Sequence, residues 1–145
     1  MKTQGGYLIS RIHQVGNRQF DKMLNEADID AFNGAQGRIL YVLWQEDGVS
    51  ISAIAQRTGL ANTTLTSMLD RMAEAELIRR EAMPGDRRRQ RVVLTEKARS
   101  LREDYERISQ RMNEMYYAGF TEEEYAQLEG YLLRILSNLE GGTSP

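Results

Sequence analysis

Residues 59–95 read GLANTTLTSMLDRMAEAELIRREAMPGDRRRQRVVLT, and the parsing of this stretch decides the fold. Leu65, Met68, Leu69 and Met72 fall at i, i+3, i+4 and i+7, which makes one face of a helix apolar. Thr63, Thr66, Ser67 and Asp70 repeat that spacing on another face. Further on, Leu77 and Ile78 open one extended run and Val92, Val93, Leu94 and Thr95 form another, with Pro84 and Gly85 marking the turn between them. The expected unit is a helix followed by a β-hairpin. From Arg79 to Arg91 the hairpin carries six arginines against Glu81 and Asp86, a local excess of four positive charges in a chain of formal net charge −2.

Charge gathered at one hairpin of a mildly acidic chain points to an anionic partner, and double-stranded DNA fits best. Short hydroxyl and amide side chains let a helix sit deep in a major groove, where they reach base edges and phosphates. A helix face that meets only solvent usually carries Lys, Glu, Gln or Ala on propensity grounds. Asn62, Thr63, Thr64, Thr66 and Ser67 are therefore candidate DNA contacts on a recognition helix, with Arg71 a lesser candidate near its end. On the hairpin, or wing, the candidates are Asp86, Arg87, Arg88, Arg89 and Arg91. A carboxylate two residues before Arg88 is expected to hold that guanidinium in one orientation.

Asp86, Arg88, Val92, Leu94 and Thr95 fill every specified position of the pattern D-x-R-x-x-x-V-x-L-T. In this the chain resembles the MarR-type winged-helix transcription regulators, and its flanking helices agree with that family in number, order and length. The resemblance implies a homodimer held by the terminal helices and an inverted-repeat operator whose half-sites lie about 34–36 Å apart. It implies repression of the adjacent gene, Arg88 in the minor groove with Asp86 positioning it, and release by a small molecule, often an aromatic acid or phenolic compound. Tyr7, Arg11, His13, Tyr41, Trp44 and Tyr105 are of types suited to such an effector pocket. Two positions depart from the pattern. Ala61 stands where relatives open the recognition helix with Ser or Thr, which predicts that capping passes to Asn62. Glu76 stands where Gly is common before the first wing strand, which predicts a strained helix exit.

Outward from this centre, local signals mark five more helices. A loosely amphipathic helix runs from Tyr7 to about Ala27. Asn33 with Gln36 reads as a capping box for a helix through Ile39, Leu40, Leu43 and Trp44. Ser50 caps a short helix that Gly59 ends, giving the brace of a helix-turn-helix. After the wing, Thr95 caps a helix with a seam through Ala98, Leu101, Tyr105, Ile108, Met112, Met115 and Gly119. Thr121 with Glu124 boxes the last helix, where Tyr125, Leu128, Leu132, Ile135 and Leu139 form a second seam.

The expected fold is all-α with a small β-hairpin wing, within one domain of 145 residues. Residues 1–30 and 96–140 form dimerisation helices, 33–95 the DNA-binding lobe, and 141–145 a flexible tail. With no cysteine, thiol chemistry and disulfides are excluded. One histidine makes a poor metal site, no nucleophile–base arrangement is evident, and no cofactor or enzymatic activity is expected. Neither a signal-peptide core nor a membrane span is visible, so a cytoplasmic protein is expected. A winged helix used for protein–protein contact and a non-specific DNA-coating protein are the rival readings. The polar helix face and the Asp86/Arg88 pair argue against both.

Overall fold

The computed structural model describes residues 2–141, so the tail expected at 141–145 lies outside the described residues except for Gly141. The chain divides into two compact units, Met1–Gln110 and Arg111–Pro145. Among the described residues no helix is long and apolar enough to cross a membrane.

The first unit opens with α1 (Gly5–Glu26), which buries Gly16, Met23 and Leu24 but leaves Tyr7, Leu8, Ile9, Ile12 and Val15 exposed. Helix α2 (Gly34–Gln45) begins at the expected capping box, in which Asn33 accepts from the Gln36 amide at 2.8 Å and Gln36 accepts from that of Asn33 at 3.1 Å. Its fully buried Ile39, Leu40 and Leu43 are central to the core, each side chain contributing about 1.5–3 kcal/mol by leaving water. A two-residue strand, β1 (Val49–Ser50), precedes α3 (Ile51–Thr58), which Ser50 caps and left-handed Gly59 (φ 73°) terminates. Helix α4 (Asn62–Glu74) follows, then β2 (Ile78–Met83) and β3 (Asp86–Leu94).

The antiparallel sheet has the order β1-β3-β2, with Val49 opposite Val92 and Ile78 opposite Leu94. The wing thus has three strands, one more than the expected hairpin. The exit from α4 is a Schellman turn: the Leu77 amide donates to the Met72 carbonyl at 2.9 Å and the Glu76 amide to that of Ala73 at 3.0 Å. Glu76 takes φ 62° to make it, the strained exit expected where relatives place Gly.

The helix expected to run unbroken from Thr95 is interrupted. Thr95 caps α5 (Glu96–Ser100), and α6 (Arg102–Tyr116) starts after a tightened turn at Leu101. There the Ala98 carbonyl accepts from the Leu101 amide and also from the Trp44 indole at 3.1 Å, which diverts it from the regular ladder. Tyr105, on the part of α6 within this unit, lies against Phe20, Phe32, Tyr41 and Trp44 with ring centroids 5.2–6.1 Å apart. Gly37 is required there, because a Cβ would come within 2.9 Å of the Tyr105 ring.

In the second unit the capping box of Thr121 and Glu124 starts α7 (Glu122–Leu139) as expected. Tyr117 packs its ring on Phe120 and Tyr125 and donates its hydroxyl to Glu129 at 2.7 Å. No described residue of α7 is buried, although Tyr131, Leu132, Leu133, Ile135, Leu136 and Leu139 all lie on it.

Candidate nucleic-acid interface

The apolar face of α4 is the one its periodicity dictates, with Leu65, Met68, Leu69 and Met72 all buried. Burying that face turns the rest of the helix outward, and Asn62, Thr63, Thr64, Thr66, Ser67 and Arg71 are all exposed. The N-cap is Ala61 with no side-chain bond, so the capping role does not pass to Asn62. An alanine cannot accept from the first-turn amides, whereas Asn62, already inside the helix, keeps its amide side chain for other partners. Thr66 donates its hydroxyl to the Asn62 carbonyl at 2.8 Å, leaving its oxygen as an acceptor on an exposed residue. Arg71 folds back on Ser67, with Nη2 3.3 Å from Oγ, which draws both side chains into a local pair.

The wing joins this helix through one ion pair, Arg80 on β2 to Asp70 on α4 at 2.6 Å. Such a pair contributes little stability at a surface, about 0–1 kcal/mol, but it fixes the strand against the helix. At the tip, Pro84 and Gly85 turn the chain, with Gly85 at φ 83° as the third residue of a type II turn requires. The register then slips. Ala82 faces Gln90, yet the next residue, Met83, faces Asp86, so residues 87–89 stand opposite nothing in β2. Arg87, Arg88 and Arg89 therefore project from an irregular bulge.

Asp86 acts on this bulge differently from the expectation. Its carboxylate accepts from the backbone amide of Arg88 at 3.0 Å, so it sets the main-chain turn that aims Arg88 instead of gripping the guanidinium. Five neighbouring arginines have carboxylate partners: Arg57 with Glu46, Arg79 and Arg91 with Glu81, Arg80 with Asp70, and Arg99 with Asp47 and Glu96. Among the described residues Arg87, Arg88 and Arg89 have none within ion-pair distance. Arg91 stands apart from these three. It sits opposite Glu81 in the ladder, bonds it at 3.1 Å, and its side chain is only 35% exposed.

The root of the wing is fixed by Asp47, a residue the sequence did not single out. One of its oxygens accepts from the amides of Gly48 and Leu94, each at 2.9 Å, and the other from Arg99 at 3.3 Å. The bond to Asp47 is the main cause that raises the Arg99 pKa.

These features match a known family at sequence level, whose model, the MarR family, covers residues 32–89. The solved transcriptional regulator PA3341 is 30% identical, covering 93% of this chain and 97% of that one, with a TM-score of 0.79. The chain belongs to the MarR family. Other similar proteins agree. The HTH-type transcriptional repressor IacR of Pseudomonas putida is 25% identical over 134 residues, 92% of this chain and 78% of that protein. The crystal structure of the S. aureus MepR–DNA complex superposes with a TM-score of 0.80 at 26% identity, covering 96% of this chain and 98% of the other. The family is one of transcriptional regulators, and PA3341 and IacR are named as a regulator and a repressor, not as enzymes.

Of the residues expected at a MarR-type effector pocket, Tyr41, Trp44 and Tyr105 come together, as part of the aromatic packing with Phe20 and Phe32. Burial there raises the Tyr105 pKa above the ordinary phenol value. Tyr7, Arg11 and His13 lie exposed along α1, where His13 meets Asn17 at 3.3 Å. A separate hollow between α2 and α3 is lined by Arg38, Tyr41, Val42, Gln45, Arg57 and Thr58.

Proposed function

We propose that this protein binds an inverted-repeat operator as a homodimer, represses the gene beside it, and is released by a small-molecule effector. The observation that carries the reading is the pairing of an outward face of small polar side chains on α4 with three carboxylate-free arginines on the adjoining wing. In this reading Asn62, Thr63, Thr64, Thr66 and Ser67 face base edges in the major groove. Arg71 reaches a phosphate once it leaves Ser67. Arg88, aimed by Asp86, enters the minor groove, and Arg87 and Arg89 meet phosphates. Arg91 serves as a brace for the hairpin through Glu81. The MepR complex supports the DNA reading through the fold it shares with this chain.

Homodimerisation is supported by α7 taken by itself. An 18-residue helix with no buried residue and Leu139 79% exposed asks for an apolar partner. An effector that is an aromatic acid or phenol fits the α2–α3 hollow, where Tyr41 offers a ring and Arg38 and Arg57 a positive field. The cytoplasm, where DNA is met, is the compartment this function requires.

Selection from fragments of the source genome at near-physiological salt tests the reading. Enrichment of an inverted repeat with half-sites about one helical turn apart is the expected result. Retention of all DNA equally would favour a coating protein, and retention of none by a folded dimer would favour a protein-contact module.

A further inference from the structure

Between the first residues of α3 and the wing lies an open hollow of about 340 Å³, with Ser50, Ile51 and Ser52 on one wall and residues 87–90 on the other. Its two walls carry complementary means of holding an oxyanion. On the wing side the lining residues include Arg87, Arg88 and Arg89, whose guanidinium groups have no carboxylate partner among the described residues. On the α3 side, Ser50 Oγ accepts from the Ala53 amide at 3.2 Å and lies 3.2 Å from Ser52 Oγ. Whichever serine donates in that pair, the other keeps its hydroxyl hydrogen uncommitted. The notch is thus lined by positively charged residues on one side and a hydroxyl donor on the other.

The geometry points to a binding site for one backbone phosphate of the bound duplex, held between the Ser50/Ser52 hydroxyls and Arg87 or Arg89. This deepens the proposed function and rests on it. A phosphodiester is singly charged and presents two free oxygens, so one can take the guanidinium while the other takes the hydroxyl. The contact would pin the wing's bulge against the helix-turn-helix when DNA binds, giving affinity and register without sequence preference. Gln90, at the end of the notch, offers a further amide donor.

Ser52→Asp is the informative substitution. Residue 52 is exposed at the second position of α3, where a carboxylate favours the helix, so the variant should fold with an unchanged or raised thermal midpoint. It should bind operator and random DNA about tenfold more weakly in equal measure, and the slope of log K against log salt should shrink by about one per protomer. Ala35→Asp, at the exposed second position of α2, makes the same charge change outside the notch and should bind as the wild type does. Equal losses in both variants, or wild-type affinity in Ser52→Asp, would overturn the notch while leaving the DNA-binding reading intact. Failure of the wild-type protein to bind any DNA would overturn both.

Discussion

The salt dependence of DNA binding follows from the charges the fold leaves free. Arg71, Arg87 and Arg89, the three cations per protomer that the proposed function sets on phosphates, have no carboxylate partner among the described residues, hence six in the proposed dimer. Each phosphate neutralised contributes about −0.9 to the slope of log K against log salt, so six account for about −5.4. A fourfold rise in salt, from about 50 to about 200 mM, then weakens binding about 2,000-fold, equivalent to about 4.5 kcal/mol. Replacing Arg87 and Arg89 by Ala removes four of the six and should flatten the slope by about 3.6. Arg91→Ala makes the same kind of change at a residue already bonded to Glu81 at 3.1 Å, and should leave the slope near its wild-type value. Fluorescence anisotropy titrations at a series of salt concentrations measure all three proteins on the same duplex. An unchanged slope in the Arg87/Arg89 variant, or a loss in Arg91→Ala as large per residue, would refute the division between free and braced arginines.

Other predictions bear on single residues. Arg88→Ala should cost about 1–3 kcal/mol on the operator and blur preference at its outer A·T positions, measured by competition between operator variants, whereas equal losses on random DNA would discount minor-groove readout. Leu132→Glu on α7 should give monomers in sedimentation analysis that no longer hold the operator, because each half-site alone is weak. Glu76→Gly relieves a left-handed residue at φ 62° and should raise stability by about 0.5–1 kcal/mol in thermal unfolding, the gain in conformation exceeding glycine's entropy cost. Hydrogen bonding to Glu129 raises the Tyr117 pKa above its ordinary value, so the protonated phenol is favoured in the folded state. That contribution is full below about pH 10 and is lost as pH climbs through the raised value. Tyr117→Phe should remove this alkaline component of the stability profile, at a cost below about 1 kcal/mol for so exposed a pair.

Local chemistry made much of this fold legible. The boxes at Asn33/Gln36 and Thr121/Glu124, the cap at Ser50 and the left-handed stop at Gly59 each depend on residues within four positions, and each was readable as such. The face of α4 was readable for the same reason. What escaped depends on distant partners. Strand β1 is two residues long, too short for any pattern, and exists because Val49 pairs with Val92. The break at Leu101 arises from the Trp44 indole, 54 residues from the carbonyl it bonds. Arg91 looked like a fourth tip arginine because nothing local announces the register slip that places it opposite Glu81. Asp86 is a different case. A carboxylate that accepts from the amide two residues on is a common turn device, so its backbone role was open to a reading that attended to the main chain before the guanidinium.

The three-residue slip in β3 separates two demands that a regular hairpin would impose on the same residues. In an even ladder, every outward position has a cross-strand neighbour, and changing it to suit a new ligand disturbs the pair. Residues 87–89 have no such neighbour, while Glu81, Arg91, Val92 and Leu94 hold the strands together below them. Substitution at the tip is thereby freed from the stability of its stem. A lineage carrying this wing can drift in which DNA it prefers, one arginine at a time, without passing through unfolded intermediates.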